Sequence, residues 1–341
     1  MDVICVKKAV LEDAYKFVIR DVPTPQPNPM LPFLIKVHCC SICGSDVHRY
    51  KFPPDATNLP SVAFVDKVLG YPSLLVLGHQ FSGDIAEIAP NVKGWKTGDR
   101  VVGIGFQAYA EYALAKRVVH LPDEMSYEQG AFVEPVAVAL SIVVRSGLKL
   151  GDTVVVLGAG PIGLFAMQCA KAMGAGKVYV TDILDARLKK AIDLGADDVI
   201  NVRKEDPVDR IYELTNKAGP DIVFECAGKA ETLNQMLEIL PKRGKGVIVA
   251  IYDEPLKEIN INRLVMKNLD ISGIFVSYDE PIFAPEQWLS RHDVFEVATE
   301  LIRSGKVKVD PIITSILPLE NINEAFMRLM RGEELGVIIK P

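Results

Sequence analysis

The chain has 341 residues, 49% of them hydrophobic and 24% charged, with a formal net charge of −6, a pI near 5.5 and a mean hydropathy of +0.19. Two domains are expected at this length, and the composition excludes disordered, collagen-like and coiled-coil chains. Scattered Lys and Arg give no basic patch, so nucleic acid is not an expected partner.

No stretch approaches the ~18 uninterrupted apolar residues of a membrane span, and Met1-Asp2-Val3-Ile4-Cys5 lacks a basic-then-apolar leader. No membrane association is expected, and the cytoplasm is the expected location. Cysteines at 5, 39, 40, 43, 169 and 226 are too few and too irregular for a disulfide framework, so thiols or metal ligands are expected.

Residues 1–149 are rich in proline and glycine, with short β-type runs such as Phe33 to Val37 and Arg100 to Val102, and read as an irregular β-rich domain. From Asp152 the pattern changes. Thr153 to Leu157 is a buried-strand run, a glycine turn follows, and Ile162 to Met173 is helical. Strands at Lys177–Thr181, Asp198–Asn201, Asp221–Phe224, Gly246–Ile251 and Leu269–Phe275 alternate with helices at Ala186–Leu194, Val208–Asn216 and Glu231–Leu240. The fold class is α/β, with a parallel, doubly wound Rossmann sheet over 150–275. Beyond it, a helix Asp293–Ser304, a strand Asp310–Ile313 and a helix Ile322–Arg331 are expected to return to the first domain, which then comprises 1–149 and 276–341.

Gly158-Ala159-Gly160-Pro161-Ile162-Gly163 is a G-x-G-x-x-G that follows a strand and opens a helix, the context a dinucleotide site needs. The first glycine makes the turn, the second admits the pyrophosphate, and the third lets helix and strand pack closely. Asp182 ends the next strand near the ~20-residue spacing expected of the carboxylate that holds the ribose hydroxyls. An acid there repels a 2′-phosphate, so NAD is favoured over NADP, although Arg187 lies in reach of the same region. Glu225-Cys226-Ala227-Gly228 ends a later strand on the ligand side of such sheets, making Cys226 and Ala227 cofactor candidates or members of a simple turn.

In the first domain lie Cys43-Gly44-Ser45-Asp46-Val47-His48 and Gly78-His79-Gln80. A thiolate and an imidazole suit zinc but do not by themselves make a site. Glu134, in an apolar run, is costly unless paired or metal-bound. Three protein ligands with an open position are the layout of a catalytic zinc. Asp46 either orients a neighbour or caps a local turn. Cys39 and Cys40 read as strand residues, and His38, His120 and His292 as structural.

These motifs, together with Thr97-Gly98-Asp99-Arg100-Val101, Val133-Glu134-Pro135, Ser304-Gly305-Lys306-Val307 and Asp310-Pro311-Ile312-Ile313-Thr314, resemble the zinc-dependent medium-chain alcohol/polyol dehydrogenases, in particular the sorbitol and butanediol dehydrogenase branch. The resemblance runs almost end to end. It implies a GroES-like catalytic domain beside the Rossmann domain, a catalytic zinc on Cys43, His79 and Glu134, the last directly or through water, and a proton relay through Ser45 and His48. It implies oxidation of a secondary alcohol, a polyol or sugar derivative, to the ketone with NAD, in a homo-oligomer of two or four chains.

Three departures stand out. Gln80 replaces the Glu usual after the zinc histidine; zinc with one thiolate and one carboxylate sums to zero charge, whereas a second carboxylate would leave −1, so Gln80 reads as tuning the metal's Lewis acidity. No cysteine lies between Cys43 and Cys169, so the structural zinc of relatives is not expected. The stretch from Tyr50 to Leu77 is longer than in relatives and reads as a cleft wall, a subunit contact or a surface loop. Two other functions fit the fold: a zinc-free NADPH quinone or enone reductase, and a non-catalytic NAD-binding sensor.

Overall fold

The computed structural model describes residues 5–56, 77–90, 92–252, 256–274 and 293–341. They fall into two compact units, Met1–Glu134 with Val309–Pro341, and Pro135–Lys308. Most of the long stretch between Tyr50 and Leu77, and the end of the expected strand at Phe275, lie outside the described residues.

The chain opens with an antiparallel pair, β1 (Cys5–Asp13) and β2 (Lys16–Pro23). Then come β3 (Phe33–Ser41), the short helix α1 (Gly44–Tyr50), β4 (Gln80–Ile88), β5 (Arg100–Phe106), β6 (Tyr112–His120), the single turn α2 (Tyr127–Gly130) and α3 (Val133–Ser146). By length and composition the helical run 127–146 would suffice to cross a membrane, but 72% of its apolar window is buried inside the protein, as in a core helix.

In the second unit β7 (Thr153–Leu157), α4 (Pro161–Ala172), β8 (Lys177–Asp182), α5 (Asp185–Asp193), β9 (Asp198–Asn201), α6 (Pro207–Leu214), β10 (Ile222–Glu225), α7 (Ala230–Ile239), β11 (Lys245–Ile248), α8 (Ile261–Lys267), β12 (Asp270–Gly273) and α9 (Val294–Arg303) follow in turn. The parallel sheet has the order β12-β11-β10-β7-β8-β9. This is the doubly wound arrangement, with its reversal between β7 and β10, where such sheets bind ligands at the strands' carboxyl ends. Val154 to Leu157 are all fully buried, because helices cover both faces of a parallel sheet and every side chain meets an apolar layer.

The chain then returns to the first unit through β13 (Ile313–Pro318), α10 (Ile322–Met330) and β14 (Gly336–Lys340). Its six-stranded sheet runs β13-β14-β3-β4-β5-β6, and β3 also pairs with β6. With β14, β4 and β6 all bonded to it, β3 is the strand around which the unit is built. Phe17, Ile35, Tyr50, Phe81, Tyr109 and Phe326 fill the core beneath it.

Two local expectations shift. The strand expected at Asp310–Ile313 begins only at Ile313: Asp310–Ile312 form a 3₁₀ turn, since Pro311 fixes its own φ and has no N–H to give a ladder. The sequence divides the domains at 149/150 and 275/276, whereas the compact units divide at 134/135 and 308/309. Polar ties hold the added segments to the second unit. Lys245 Nζ donates to Ser146 O at 3.3 Å, and the Gln168 amide bonds both the N–H and the carbonyl of Lys308.

Candidate active site

The first-unit candidates gather where β3 ends and β4 begins. After Ser41 the chain turns through Ile42 and Cys43 into α1, whose third residue, Asp46, is 1% exposed. Asp46 Oδ2 accepts the Tyr109 hydroxyl at 2.6 Å and the N–H groups of Cys43 at 3.3 Å and Gly78 at 3.4 Å. Its other oxygen faces His79 Nδ1 at 3.6 Å. A single carboxylate therefore holds the backbone of Cys43 and the turn before His79, and lies beside the imidazole. Asp46 both caps the turn and orients a neighbour, the two roles the sequence left open.

Antiparallel register places Gln80 opposite Ser41. The Ser41 hydroxyl stands 2.7 Å from Gln80 Oε1 and 2.8 Å from Ala131 O, and Gln80 Nε2 donates to Glu134 Oε2 at 2.6 Å. Glu134, in the first turn of α3, is buried. Burial pushes its carboxyl above the usual range, while His79 and the Gln80 amide pull the other way. Ser45 and His48 are half-buried and three residues apart on α1, so they share one helix face.

Among the described residues, no three Cys, His, Asp or Glu side chains are drawn together tightly enough to grip a metal ion as they stand. The chemistry of the donor set nevertheless fits zinc: Cys43 offers sulfur, His79 nitrogen and Glu134 oxygen. His79 and Glu134 each have a polar partner, Asp46 and Gln80, of the kind that orients metal ligands. Neither Tyr109 nor the Ser41–Gln80–Glu134 chain was singled out from sequence. Ser41 lies two residues before the Cys43 motif, but its partners come from elements distant in sequence.

In the second unit the glycine turn lies at the carboxyl end of β7. Gly158 has φ +105° and passes so close to the next turn that a Cβ on it would stand 3.1 Å from that of Ala227. A Cβ on Gly163 would come within 1.9 Å of Gly158 O, whereas one on Gly160 would meet nothing within 4 Å. Pro161 takes the first position of α4, where its missing N–H costs nothing, and Ile162 follows. Asp182 Oδ2 accepts Ala159 N–H at 2.8 Å and Oδ1 accepts Leu184 N–H at 2.9 Å, which fixes the carboxylate beside the glycine turn. Arg187 is half-buried in α5. Glu225 is fully buried and builds the turn carrying Cys226 and Ala227: Oε1 accepts from Ala227 N, Gly228 N and Thr232 Oγ1, and Oε2 from the Tyr252 hydroxyl.

The two halves match two family models, the alcohol dehydrogenase GroES-like domain over 32–147 and the zinc-binding dehydrogenase over 161–291. The chain is 33% identical to a (R,R)-butanediol dehydrogenase of Bacillus subtilis (strain 168), over 90% of this chain and 92% of the relative. The chain belongs to the zinc-dependent medium-chain alcohol/polyol dehydrogenases. It is also 29% identical to a sorbitol dehydrogenase of Homo sapiens, over 94% of this chain and 92% of that one. The crystal structure of 2R,3R-butanediol dehydrogenase from Bacillus subtilis superposes with a TM-score of 0.80 at 30% identity, covering 98% of this chain and 99% of that one. This alcohol/polyol dehydrogenase is thus an NAD(P)-linked oxidoreductase, and the named relatives favour secondary-alcohol oxidation over a zinc-free reductase or a sensor.

Proposed function

We propose that this dehydrogenase oxidises a secondary hydroxyl of a small polyol or vicinal diol to the ketone, with one zinc on Cys43, His79 and Glu134 and NAD on the Gly158–Gly163 turn. Relatives named for butanediol and sorbitol support the substrate class. Bound zinc supplies Lewis acidity at the alcohol oxygen, and bound nicotinamide accepts the hydride. Asp46 lies beside His79 Nδ1, and Nε2 is the nitrogen this reading assigns to the metal. Cys43 and Glu134 bring one negative charge each, which balances a divalent ion. The Ser45 hydroxyl takes the proton leaving the alcohol and hands it towards the His48 imidazole.

Asp182, Gly158, Gly160, Pro161, Ile162, Gly163, Cys226 and Ala227 form the cofactor site in this reading, with Arg187 beside it. The Asp182 carboxylate keeps lone pairs for ribose hydroxyls and repels a 2′-phosphate, which supports NAD over NADP. Self-association into a dimer or tetramer is part of the proposal: β12 lies at the sheet edge, and Val265 and Met266 on α8 are exposed. The cytoplasm is the proposed location.

The observation carrying the zinc assignment is the set of polar partners that Asp46 and Gln80 give to His79 and Glu134. Its test is metal analysis of the purified protein with NAD reduction over a panel of diols and polyols. About one zinc per chain and turnover with a secondary alcohol are expected; zinc-free protein that reduces enones with NADPH would overturn the reading.

A further inference from the structure

Gln80 occupies the position next to His79 yet is arranged unlike a ligand. A carboxamide binds metal through its oxygen, and Gln80 Oε1 is turned to the Ser41 hydroxyl at 2.7 Å. The other end faces Glu134 Oε2 at 2.6 Å. With Glu134 ionised, as a metal ligand is, the amide nitrogen lies toward the carboxylate, since the reverse would set carbonyl oxygen against carboxylate oxygen, and the single Ser41 proton is shared between Gln80 Oε1 and the Ala131 carbonyl. Ser41 is itself tied to the Ala131 carbonyl at 2.8 Å, just before the helix that carries Glu134. Ser41, Gln80 and Glu134 are all buried, so water does not substitute freely for any link.

We propose that Gln80 is a positioning residue for the metal site: Ser41 fixes the carboxamide, and the carboxamide holds Glu134 by Oε2 so that Oε1 is the oxygen presented to zinc. The proposal rests on the zinc reading above and deepens it. A neutral amide orients the carboxylate without adding charge. A Glu at this position would instead set two carboxylates 2.6 Å apart, an arrangement that needs a proton or a cation between them.

The test is zinc affinity, measured by competition with a chromophoric chelator on the full chain as wild type, Gln80→Met, Ser41→Ala and the double variant. Methionine keeps the buried volume while removing the amide. Gln80→Met is expected to weaken zinc binding by about 10–100-fold, the range typical of lost outer-shell partners. Ser41→Ala is expected to weaken it less, and the double variant no more than Gln80→Met alone, because Ser41 acts through Gln80. Thermal melting of the zinc-free proteins is followed alongside; a purely structural role would lower the melting temperature and leave zinc affinity unchanged. Wild type that binds one zinc, with Gln80→Met of equal affinity, overturns the proposal alone. Wild type that binds no zinc overturns the zinc reading and the proposal together. If Gln80→Met does not fold, Ser41→Ala decides, and equal affinity in that variant overturns the proposal.

Discussion

Tyr109 donates its phenolic proton to Asp46 Oδ2 at 2.6 Å, with both side chains buried. Burial, reinforced by the Asp46 charge, pushes the phenol well above its ordinary range, so Tyr109 remains a donor at any pH at which the protein works. The acceptor is the carboxylate that also holds Cys43 N–H and faces His79. Tyr109→Phe is expected to cost about 1.5–3 kcal/mol, the worth of a hydrogen bond to a charged group, read from urea denaturation. Asp46→Asn is expected to weaken zinc binding by about 10–100-fold, because the imidazole loses its charged partner.

Cys43→Ala removes the proposed sulfur donor without touching the second unit. It is expected to abolish alcohol oxidation while leaving NADH affinity, followed by nucleotide fluorescence, at the wild-type value. Residual turnover near wild type would sink the assignment of Cys43.

Two alanine substitutions in the glycine turn are expected to differ in kind. At Gly163 the new methyl would meet a backbone carbonyl at 1.9 Å, so Gly163→Ala should lose at least about 1–3 kcal/mol of stability. Gly160 has φ −71° and open space around it, so Gly160→Ala should fold as the wild type does and show a raised KM for NAD. Chemical denaturation and steady-state kinetics on both variants separate the packing role from the phosphate-approach role.

Asp182→Ser removes the acid while keeping a small polar side chain at the strand end. The expected result is a fall of about 10–100-fold in kcat/KM with NAD, matching one lost charged hydrogen bond, and a relative gain with NADP. An unchanged ratio of the two cofactors would remove Asp182 from the ribose site.

Thiol reactivity gives a prediction with a pH dependence. Burial pushes Cys39 and Cys169 up to about 12 and Cys40 well above its ordinary value, so these three thiols stay protonated and inert to disulfide reagents at pH 8. Cys226 is pushed up in the same way, by burial and then by Glu225. Cys5 is exposed and Cys43 half-buried. Titration of native, metal-stripped protein at pH 8 should therefore label Cys5 and Cys43, and added zinc should withdraw one of the two. Denaturation should release all six.

The second unit was the more legible half. Thr153–Leu157 is found at its expected bounds, because a central strand of a parallel sheet covered on both faces is written as a continuous apolar run, and the edge strand Asp198–Asn201 is found at its expected bounds too. The first unit was harder to read. β14 pairs with β3 from the far end of the chain, and no local pattern announces such a partner. The helix Val133–Ser146 read only as an apolar run around Glu134. In the site itself, Cys43, His79 and Glu134 could be named from their residue types and motifs. The bracing of Glu134 by Gln80 could not, because it depends on the register that sets Gln80 opposite Ser41.

The most direct measurement of the central claim is X-ray absorption at the zinc edge on the full chain, purified and freed of loosely held metal. The account predicts about one zinc per chain with a single sulfur neighbour at about 2.3 Å and the remaining neighbours nitrogen or oxygen at about 2.0–2.2 Å. No tightly held zinc after metal is offered back, or a zinc with no sulfur neighbour, would contradict it.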